Sequence, residues 1–219
     1  MDDRQDKTME TGTLSAREKV LQRRQQVHAA IREAAIEEFS AKGLAGASTQ
    51  SIAQRAGLTK PQLHYYISSK EELYEDVLVG ILEEWKEIFM SASAGESPAE
   101  VICAYIEKKL EYGQKNPKAS RLFGAEIASG APYLRRYWDE YHASTRETGD
   151  LIRSWIDKGL IRPVDPLLFQ IHIWAVTQHY ADFDLQVRNV MQIGADQEVD
   201  LDHIKKEVCS LFLRACGLE

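Results

Sequence analysis

Apolar residues recur every three or four positions along most of the chain, which is the period of an amphipathic α-helix. Near the N-terminus, Val27, Ile31, Ala34 and Phe39 share one face of such a helix and predict it over about 23–42. No segment alternates apolar and polar residues in the way a half-buried strand does. The pattern therefore predicts an all-α fold, and the small number of prolines, six in 219 residues, agrees with it.

Capping and turn residues divide this pattern into separate helices. Thr49, Thr59 and Ser69 are each placed to cap a helix, because a short side-chain oxygen there accepts a free backbone N–H. Pro61 suits the first turn of the third helix, where its missing N–H costs nothing, and Gly57 suits the turn before that helix. Beyond 23–42, the predicted helices are 50–56, a short helix that follows Thr59, and then 70–91, 98–115, 117–129, 131–159, 165–190 and 198–216.

These helices form a small N-terminal head and a larger helical body. The start of the chain is polar and aperiodic, so we expect a flexible arm over 1–22. The head is predicted at 23–85, with a helix-turn-helix at 48–67, and the body at 86–219. A polar loop rich in serine and glycine lies close to the boundary between them, at 91–98.

The head is locally basic although the whole chain is acidic. The formal net charge is −7, and 34 of the 219 residues are acidic. From residue 39 to residue 70 there is no Asp or Glu, whereas the average frequency would place about five there. Lys42, Arg55, Lys60 and Lys70 give that window a charge of +4. A basic helix-turn-helix in an acidic protein indicates sequence-specific binding of double-stranded DNA.

The third helix carries the side chains that we expect to read an operator. A recognition helix presents its N-terminal residues to base edges in the major groove. Lys60 can donate to guanine and Gln62 can pair with adenine, whereas the hydroxyl of Tyr65 can hold a phosphate. Neighbouring helix N-termini offer free N–H groups to further phosphates. The predicted DNA-binding residues are Thr49, Gln50, Thr59, Lys60, Gln62, His64, Tyr65 and Lys70.

The head resembles the DNA-binding domain of TetR-family transcriptional regulators. The chain departs from the family pattern at Ile67, where the family usually has Phe, and at Pro61-Gln62, where a small residue is common. The resemblance implies a homodimer that binds a near-palindromic operator and is controlled by a small-molecule effector. The pattern falls on Phe39, Lys42-Gly43, Ser48-Thr49, Ile52-Ala53, Ala56-Gly57, Thr59, Tyr65, Ile67 and the segment from Ser69 to Leu73.

The body resembles that of pyrimidine-responsive regulators of the same family. The resemblance rests on 116–134 and 173–187, and the run from Thr177 to Phe183 is its most distinctive part. It implies a regulator of nucleobase metabolism, expected to be a repressor, that senses uracil, thymine or a reduced relative. The sequence leaves open a regulator that activates, or one that senses a different small molecule.

A pyrimidine needs an aromatic slot and a few well-placed amide or carboxyl groups. Gln178 offers both a donor and an acceptor to an imide edge, and Trp174 and Asp182 share its helical face. Trp85 and Phe89 are placed to stack on the ring from across the bundle. The predicted ligand-binding residues are Trp85, Phe89, Trp174, Gln178, His179 and Asp182.

Core packing and dimerisation compete for the same helices. Aromatic stripes in a helical body more often form the core than a ligand site, and His172 is expected in the core or in an interface. The helices at 165–190 and 198–216 are apolar enough to form a four-helix interface with their copies in a second chain. The side chains that suit this interface are Tyr180, Phe183 and Phe212.

The sequence offers no support for an enzyme. Cys103, Cys209 and Cys216 are widely spaced and form neither a metal-binding nor a disulfide signature. HExxH, CxxC, a Gly-rich phosphate loop and a nucleophile elbow are all absent from the sequence. We therefore expect no cofactor and no metal.

Two further expectations complete this interpretation. The sequence has no signal peptide and no long apolar run, so we expect a cytoplasmic protein that does not bind membranes. A helical adaptor that binds protein in place of DNA remains an alternative, and the absence of acidic residues from the head argues against it.

Overall fold

The described chain consists of α-helices joined by turns. The computed structural model describes residues 15–93, 95–194 and 196–219, and no strand occurs in these ranges, so the predicted all-α fold is confirmed. The helices are α1 (Ala16–Gly46), α2 (Thr49–Arg55), α3 (Lys60–Tyr66), α4 (Lys70–Ala92), α5 (Pro98–Lys115), α6 (Pro117–Ala128), α7 (Trp138–Asp157), α8 (Pro166–Asp182), α9 (Asp184–Val190) and α10 (Leu201–Cys216).

The first helix is longer than its apolar pattern predicted. Ser15 and Glu18 form a capping box, in which Ser15 N donates to Glu18 Oε2 at 2.7 Å and Glu18 N donates to Ser15 Oγ at 3.3 Å. The predicted flexible arm over 1–22 is therefore wrong for residues 16–22, and residues 1–14 lie outside the described ranges. Residues 17–26 are exposed, so no apolar periodicity marks these turns in the sequence.

The head encloses a small core between its first three helices. Phe39 of α1, Ile52 of α2 and Leu63 of α3 are almost completely buried there. Between α2 and α3, Gly57 takes φ +70°, a conformation that costs glycine little. The turn is closed because Leu58 N donates to Ala53 O at 2.9 Å. The predicted helix–turn–helix is thus formed.

One of the predicted caps differs in position, and another is confirmed. Ser48, not Thr49, caps α2, because Ser48 Oγ accepts from Ser51 N at 3.3 Å and Thr49 is the first helical residue. Ser69 caps α4 by accepting from Glu72 N at 3.0 Å. The starts of α2 and α4 are thus both fixed by a side-chain oxygen that accepts from a backbone N–H left free at the helix N-terminus.

One continuous helix, α4, belongs to both parts of the molecule. Its first half supplies Leu73, Val77 and Leu78 to the core of the head. Further along, Ile88 and Phe89 pack against the core of the body. An unbroken helix therefore connects the core of the body with the core of the head.

The body is organised around α5, which packs against α4, α8 and α10. Ile106 and Leu110 of α5 are buried in its core. The predicted helix at 131–159 is interrupted, since Gly130 and Ala131 take positive φ and a short 3-10 turn precedes α7. The predicted helix at 165–190 is also broken, because the backbone at Phe183 leaves the helical region and separates α8 from α9.

In the described ranges no helix combines the length and the apolar character that crossing a bilayer requires. Within the same residues, His, Cys, Asp and Glu side chains nowhere gather into a group of three or more that could hold a metal ion.

Candidate DNA-binding surface and effector cavity

The recognition helix α3 turns one side inward and exposes the other. Leu63 is completely buried, whereas Lys60, Gln62 and His64 are exposed and Tyr65 has 83% of its surface exposed. A bulky aromatic side chain that is exposed to this extent adds nothing to the core, so its position is better explained by an external contact. The structure thus brings the predicted base-reading and phosphate-binding residues of α3 to one surface.

The side chain of Gln62 has a second role that the sequence analysis did not include. It forms a capping box with Thr59, in which Gln62 Oε1 accepts from Thr59 N at 2.8 Å and from Thr59 Oγ1 at 3.0 Å. A bidentate pair with adenine needs both the oxygen and the nitrogen of a glutamine amide. While the capping box is closed, Gln62 can offer DNA its amide donor alone.

The charge of the head is more balanced than the acid-free window indicated. Glu38 of α1 lies just before that window and is fully buried. Its carboxylate accepts hydrogen bonds from Lys42 Nζ at 2.8 Å and from Ser51 Oγ at 2.9 Å. Arg55 Nε lies 3.6 Å from the same carboxylate. The hydrogen bond from Lys42 holds the pKa of Glu38 below its usual value. Two of the four cations therefore share one buried carboxylate, which offsets one of their two positive charges.

The remaining two cations differ from each other. Lys70 Nζ donates to Ala47 O at 3.0 Å, and this bond ties the start of α4 to the segment before α2. Among the described residues, Lys60 makes no hydrogen bond or ion pair and is fully exposed to solvent. Thr49 is half-buried and Gln50 is exposed at the N-terminus of α2, beside this surface. Lys60 is consequently the cation best placed to meet DNA.

The body contains a cavity of about 280 Å³ between α4, α5, α7 and α8. Its volume lies at the small end of the range of about 300–1,000 Å³ that is usual for small-molecule sites. Four of the predicted ligand-binding residues line it, namely Trp85, Phe89, Trp174 and Gln178. The structure thus gathers side chains from two helices that are far apart in the sequence.

His179 and Asp182 lie outside the cavity, contrary to the prediction. Successive residues of an α-helix are rotated by about 100°, so His179 points away from Gln178 and stacks on Phe183 at 5.0 Å between ring centroids. Asp182 faces α6, where it accepts from Ser120 Oγ at 2.6 Å. Both assignments are corrected by the position of these side chains on α8.

Seven aromatic side chains contribute to the cavity wall, and several of them meet edge to face. Phe89 meets Tyr105 with ring centroids 5.4 Å apart, and Trp85 meets Phe123 at 4.6 Å. Trp174 Nε1 donates to the hydroxyl of Tyr105 at 3.0 Å. Gln178 is half-buried, and its amide has no hydrogen-bond partner among the described residues. The cavity therefore offers a mostly apolar space that is bordered by the free amide of Gln178.

Lys109 is a cavity residue that the sequence analysis missed. It has 4% of its surface exposed, and its Nζ lies 3.7 Å from the centroid of the Trp85 indole ring. Burial lowers the pKa of Lys109 to about 7, and the charge of Asp182 acts in the opposite direction. A signal was present in the sequence, because Lys109 lies on the same face of α5 as the buried residues Ile102 and Ile106.

The residues proposed for a dimer interface are divided between surface and core. Phe212 is buried and packs edge-to-face on Phe169, so it belongs to the core of one chain and not to an interface. Tyr180 is half-buried against the same core, whereas Phe183 is exposed. Other large apolar residues exposed on α8 and α10 are Leu167, Leu168, Ile171 and Leu211.

Comparison with known proteins identifies the class. Residues 31–77 match the family model described as bacterial regulatory proteins, tetR family, and residues 78–219 match the model described as YcdC-like protein, C-terminal region. The chain therefore belongs to the TetR family of DNA-binding transcriptional regulators and is not an enzyme. The head and the cavity-bearing body agree with this assignment.

Two curated relatives agree with the assignment to the TetR family. The chain is 41% identical over 185 residues to the HTH-type transcriptional regulator RutR of Escherichia coli (strain K12), covering 84% of this chain and 87% of the relative. It is 26% identical to the HTH-type transcriptional repressor SCO4008 of Streptomyces coelicolor, over 81% of this chain and 91% of that one.

The fold is shared with more distant regulators. The structure of AibR in complex with isovaleryl coenzyme A and operator DNA aligns with a TM-score of 0.67 at 20% identity, over 85% of this chain and 97% of the other. The ketosteroid regulator KstR2 of Mycobacterium tuberculosis aligns with a TM-score of 0.65 at 17% identity, over 93% and 96%. At these identities the likeness supports the fold alone.

Proposed function

We propose that this protein is a homodimeric repressor of nucleobase-metabolism genes that leaves its operator when a pyrimidine such as uracil or thymine binds in the body cavity. The observation that carries the proposal is the position of Gln178 beside Trp174 in a small, mostly apolar cavity. The resemblance of 116–134 and 173–187 to pyrimidine-responsive regulators supports the same conclusion.

The chemistry of the cavity suits a flat ring with an imide edge. Such an edge alternates acceptor and donor, and a glutamine amide presents the complementary donor and acceptor. Trp85, Phe89 and Trp174 offer ring faces and edges on either side of the space that the amide borders. Because the free amide of Gln178 is half-buried, a ligand that hydrogen-bonds it recovers an interaction that the empty protein lacks.

The exposed apolar residues of α8 and α10 support the dimer. Leu168 and Ile171 of α8, Phe183 directly after it and Leu211 of α10 are each about half exposed. An apolar surface of this kind is costly in water and is typical of an interface between helices of two chains. Two heads in one dimer would enter successive major grooves about 34–36 Å apart.

The route from cavity to DNA runs through α4. The cavity contacts Leu82, Trp85 and Phe89 on this helix, and the same helix contributes Leu73 and Val77 to the head. A ligand that favours one position of α4 changes the separation of the two heads, and its effect on DNA affinity is limited by its differential affinity for the two states.

Calorimetric titration with uracil and thymine tests the cavity assignment. We expect one of them to bind the wild-type protein, Gln178→Ala to lose at least about tenfold in affinity, and His179→Ala to bind normally, since His179 lies next in sequence but outside the cavity. If the two variants lose affinity equally, or if neither pyrimidine binds the wild-type protein, the pyrimidine proposal is wrong.

A further inference from the structure

We infer that Lys109 binds an anionic oxygen of the effector, so that the cavity binds an anionic pyrimidine more tightly than a neutral one such as uracil. This inference rests on the proposed function, because it takes the body cavity to be the effector site. It adds to that site one residue, Lys109, and one positive charge.

Lys109 is an unpartnered cation at the wall of the cavity. Its side chain is 4% exposed, and its Nζ meets the face of Trp85 at 3.7 Å but makes no hydrogen bond or ion pair with any described residue. Contact with an aromatic face compensates a buried ammonium in part. The ammonium of Lys109 has three N–H donors and no acceptor of its own, so it needs hydrogen-bond acceptors nearby.

Two further donors of residues that line the cavity lack acceptors. The hydroxyl of Tyr105, one turn before Lys109 on α5, accepts from Trp174 Nε1, and its own proton has no acceptor among the described residues. The buried Nε1 of Trp85 has no hydrogen-bond partner in that same part of the chain. Lys109 and Tyr105 thus present donors to the cavity without acceptors from the protein, whereas Nε1 of Trp85 is buried away from the cavity space.

Among the described residues no oxygen of the cavity wall accepts a hydrogen bond from Lys109, and the carboxylates that line the cavity, Glu83 and Glu140, are both exposed. The hydroxyls of Thr145 and Thr148 donate within α7, to Tyr141 O and Ser144 O. Glu140 is exposed, and its carboxylate lies 3.8 Å from Lys86 Nζ. The nearest described carboxylate that acts on Lys109, Asp182, accepts from Ser120 and lies outside the cavity.

The protein therefore leaves an acceptor to be supplied by the ligand. Burial of an ammonium without a counter-ion is unfavourable, and an anion placed against it restores the charged form. The lowered pKa of Lys109 reports that cost in the unliganded protein. A ring oxygen that carries negative charge gains more from this donor group than a neutral carbonyl does, since charge-assisted hydrogen bonds are about twice as strong.

The test compares three probes in neutral buffer by calorimetry. They are uracil, barbiturate, which has the same ring but is a monoanion at this pH, and benzoate, an aromatic anion without an imide. The proteins are the wild type, Lys109→Met, which keeps the length of the side chain without its charge, and Lys109→Arg, which keeps the charge. The matched control is Lys108→Met, because Lys108 is adjacent and bonds to Ser91 Oγ instead of facing the cavity.

We expect barbiturate to bind the wild type at least about tenfold more tightly than uracil. Lys109→Met should abolish this preference, Lys109→Arg should keep a preference for the anion, and Lys108→Met should behave as the wild type. Circular dichroism and a melting curve of each variant verify its fold. Because Lys109→Met removes a buried charge, we expect it to fold at least as stably as the wild type.

The other outcomes separate this inference from the proposed function. Uracil and barbiturate binding equally well, with no effect of Lys109→Met, overturns the role of Lys109 and leaves a pyrimidine effector in place. Benzoate binding that depends on Lys109, without binding of either pyrimidine, retains the role of Lys109 and overturns the pyrimidine proposal. Binding of none of the three probes to the wild type overturns both.

Discussion

The hydroxyl of Tyr137 donates a hydrogen bond of 2.5 Å to Glu75 Oε1, and this bond joins the wall of the cavity to the head-side half of α4. Glu75 is nearly buried, and the guanidinium of Arg136 contacts the same oxygen. One residue earlier on α4, the hydroxyl of Tyr74 donates to Glu126 of α6. The body therefore holds α4 at two adjacent residues between the cavity and the head.

Tyr137→Phe should weaken the effect of a ligand on DNA more than it weakens ligand binding. The substitution removes the bond to Glu75 but keeps the ring in the cavity wall, and a hydrogen bond to a charged group contributes about 1.5–3 kcal/mol. Tyr141→Phe is the control, because Tyr141 also lines the cavity but its hydroxyl has no described partner. DNA affinity measured with and without ligand should show a reduced ratio for Tyr137→Phe alone. An unchanged ratio would show that this hydrogen bond does not couple ligand binding to DNA binding.

Lys60→Ala should weaken operator binding and relax its base preference, by about 1–3 kcal/mol for a good base contact. Lys42→Ala serves as the control, because Lys42 is already paired with the buried carboxylate of Glu38. Fluorescence anisotropy with operator variants at several salt concentrations measures both effects. We expect a shallower salt dependence for Lys60→Ala than for Lys42→Ala, and the reverse order would contradict the assignment of Lys60 as the main cationic contact.

Glu38→Ala should destabilise the head. It removes the carboxylate that accepts from Ser51 and Lys42, and we expect a loss of about 1.5–3 kcal/mol in the free energy of unfolding. Glu37→Ala, which breaks the exposed pair with Lys118, should cost at most about 1 kcal/mol. Chemical denaturation of both variants provides the comparison. Equal losses would show that Glu38 has no special role.

The stability of the unliganded protein should contain a pH-dependent contribution from Lys109. Burial lowers the pKa of Lys109 to about 7 from 10.5, so between these pH values the unfolded chain binds more protons than the folded one. The contribution of Lys109 to the free energy of unfolding therefore increases as the pH rises from about 7 towards 10.5. The same contribution decreases as the pH falls through that window.

Denaturation of the wild type, Lys109→Met and Lys108→Met across this pH range isolates that contribution from other titrating groups. The wild type and Lys108→Met should gain stability relative to Lys109→Met as the pH rises. Parallel curves for all three proteins would mean that Lys109 keeps an ordinary pKa in the folded state.

Ile171→Glu should convert the dimer to a monomer. Ile171 is 48% exposed on the apolar face of α8, and a charge there would have to be buried in the interface. Ile127→Glu is the control, since Ile127 is similarly exposed, at 46%, but lies on α6. Sedimentation velocity of both variants gives the result. A dimer that persists in Ile171→Glu would place the interface on another surface.

The head could be predicted in more detail than the body because its signals are local. Thr59 and Gly57 act within a few residues of their own positions, and the structure shows the cap and the turn that they indicated. The buried role of Glu38 was not predictable in this way, because its partner Ser51 lies on another helix. The capping role of Gln62 was overlooked for a different reason, since a glutamine on a recognition helix was interpreted as a base contact.

The residues that line the cavity are determined by how the helices pack against each other. The apolar periodicity of a single helix does not contain this information. Spacing placed Trp174 and Gln178 on one side of α8, but it could not determine which side faces α4 and α5. His179 and Asp182 were therefore assigned to the site although they turn away from it. Lys109 was missed because a lysine is usually exposed, and its burial becomes evident once α5 is packed against α4 and α8.

The most direct test of the account is the affinity of the dimer for its operator with and without uracil, measured by fluorescence anisotropy on a DNA fragment selected by the protein from a random pool. The account predicts that uracil weakens wild-type binding at least about fivefold, the lower end of typical allosteric coupling, and has no effect on Gln178→Ala, which still binds the DNA. Unchanged operator affinity in wild-type protein that calorimetry shows to be saturated with uracil would contradict it.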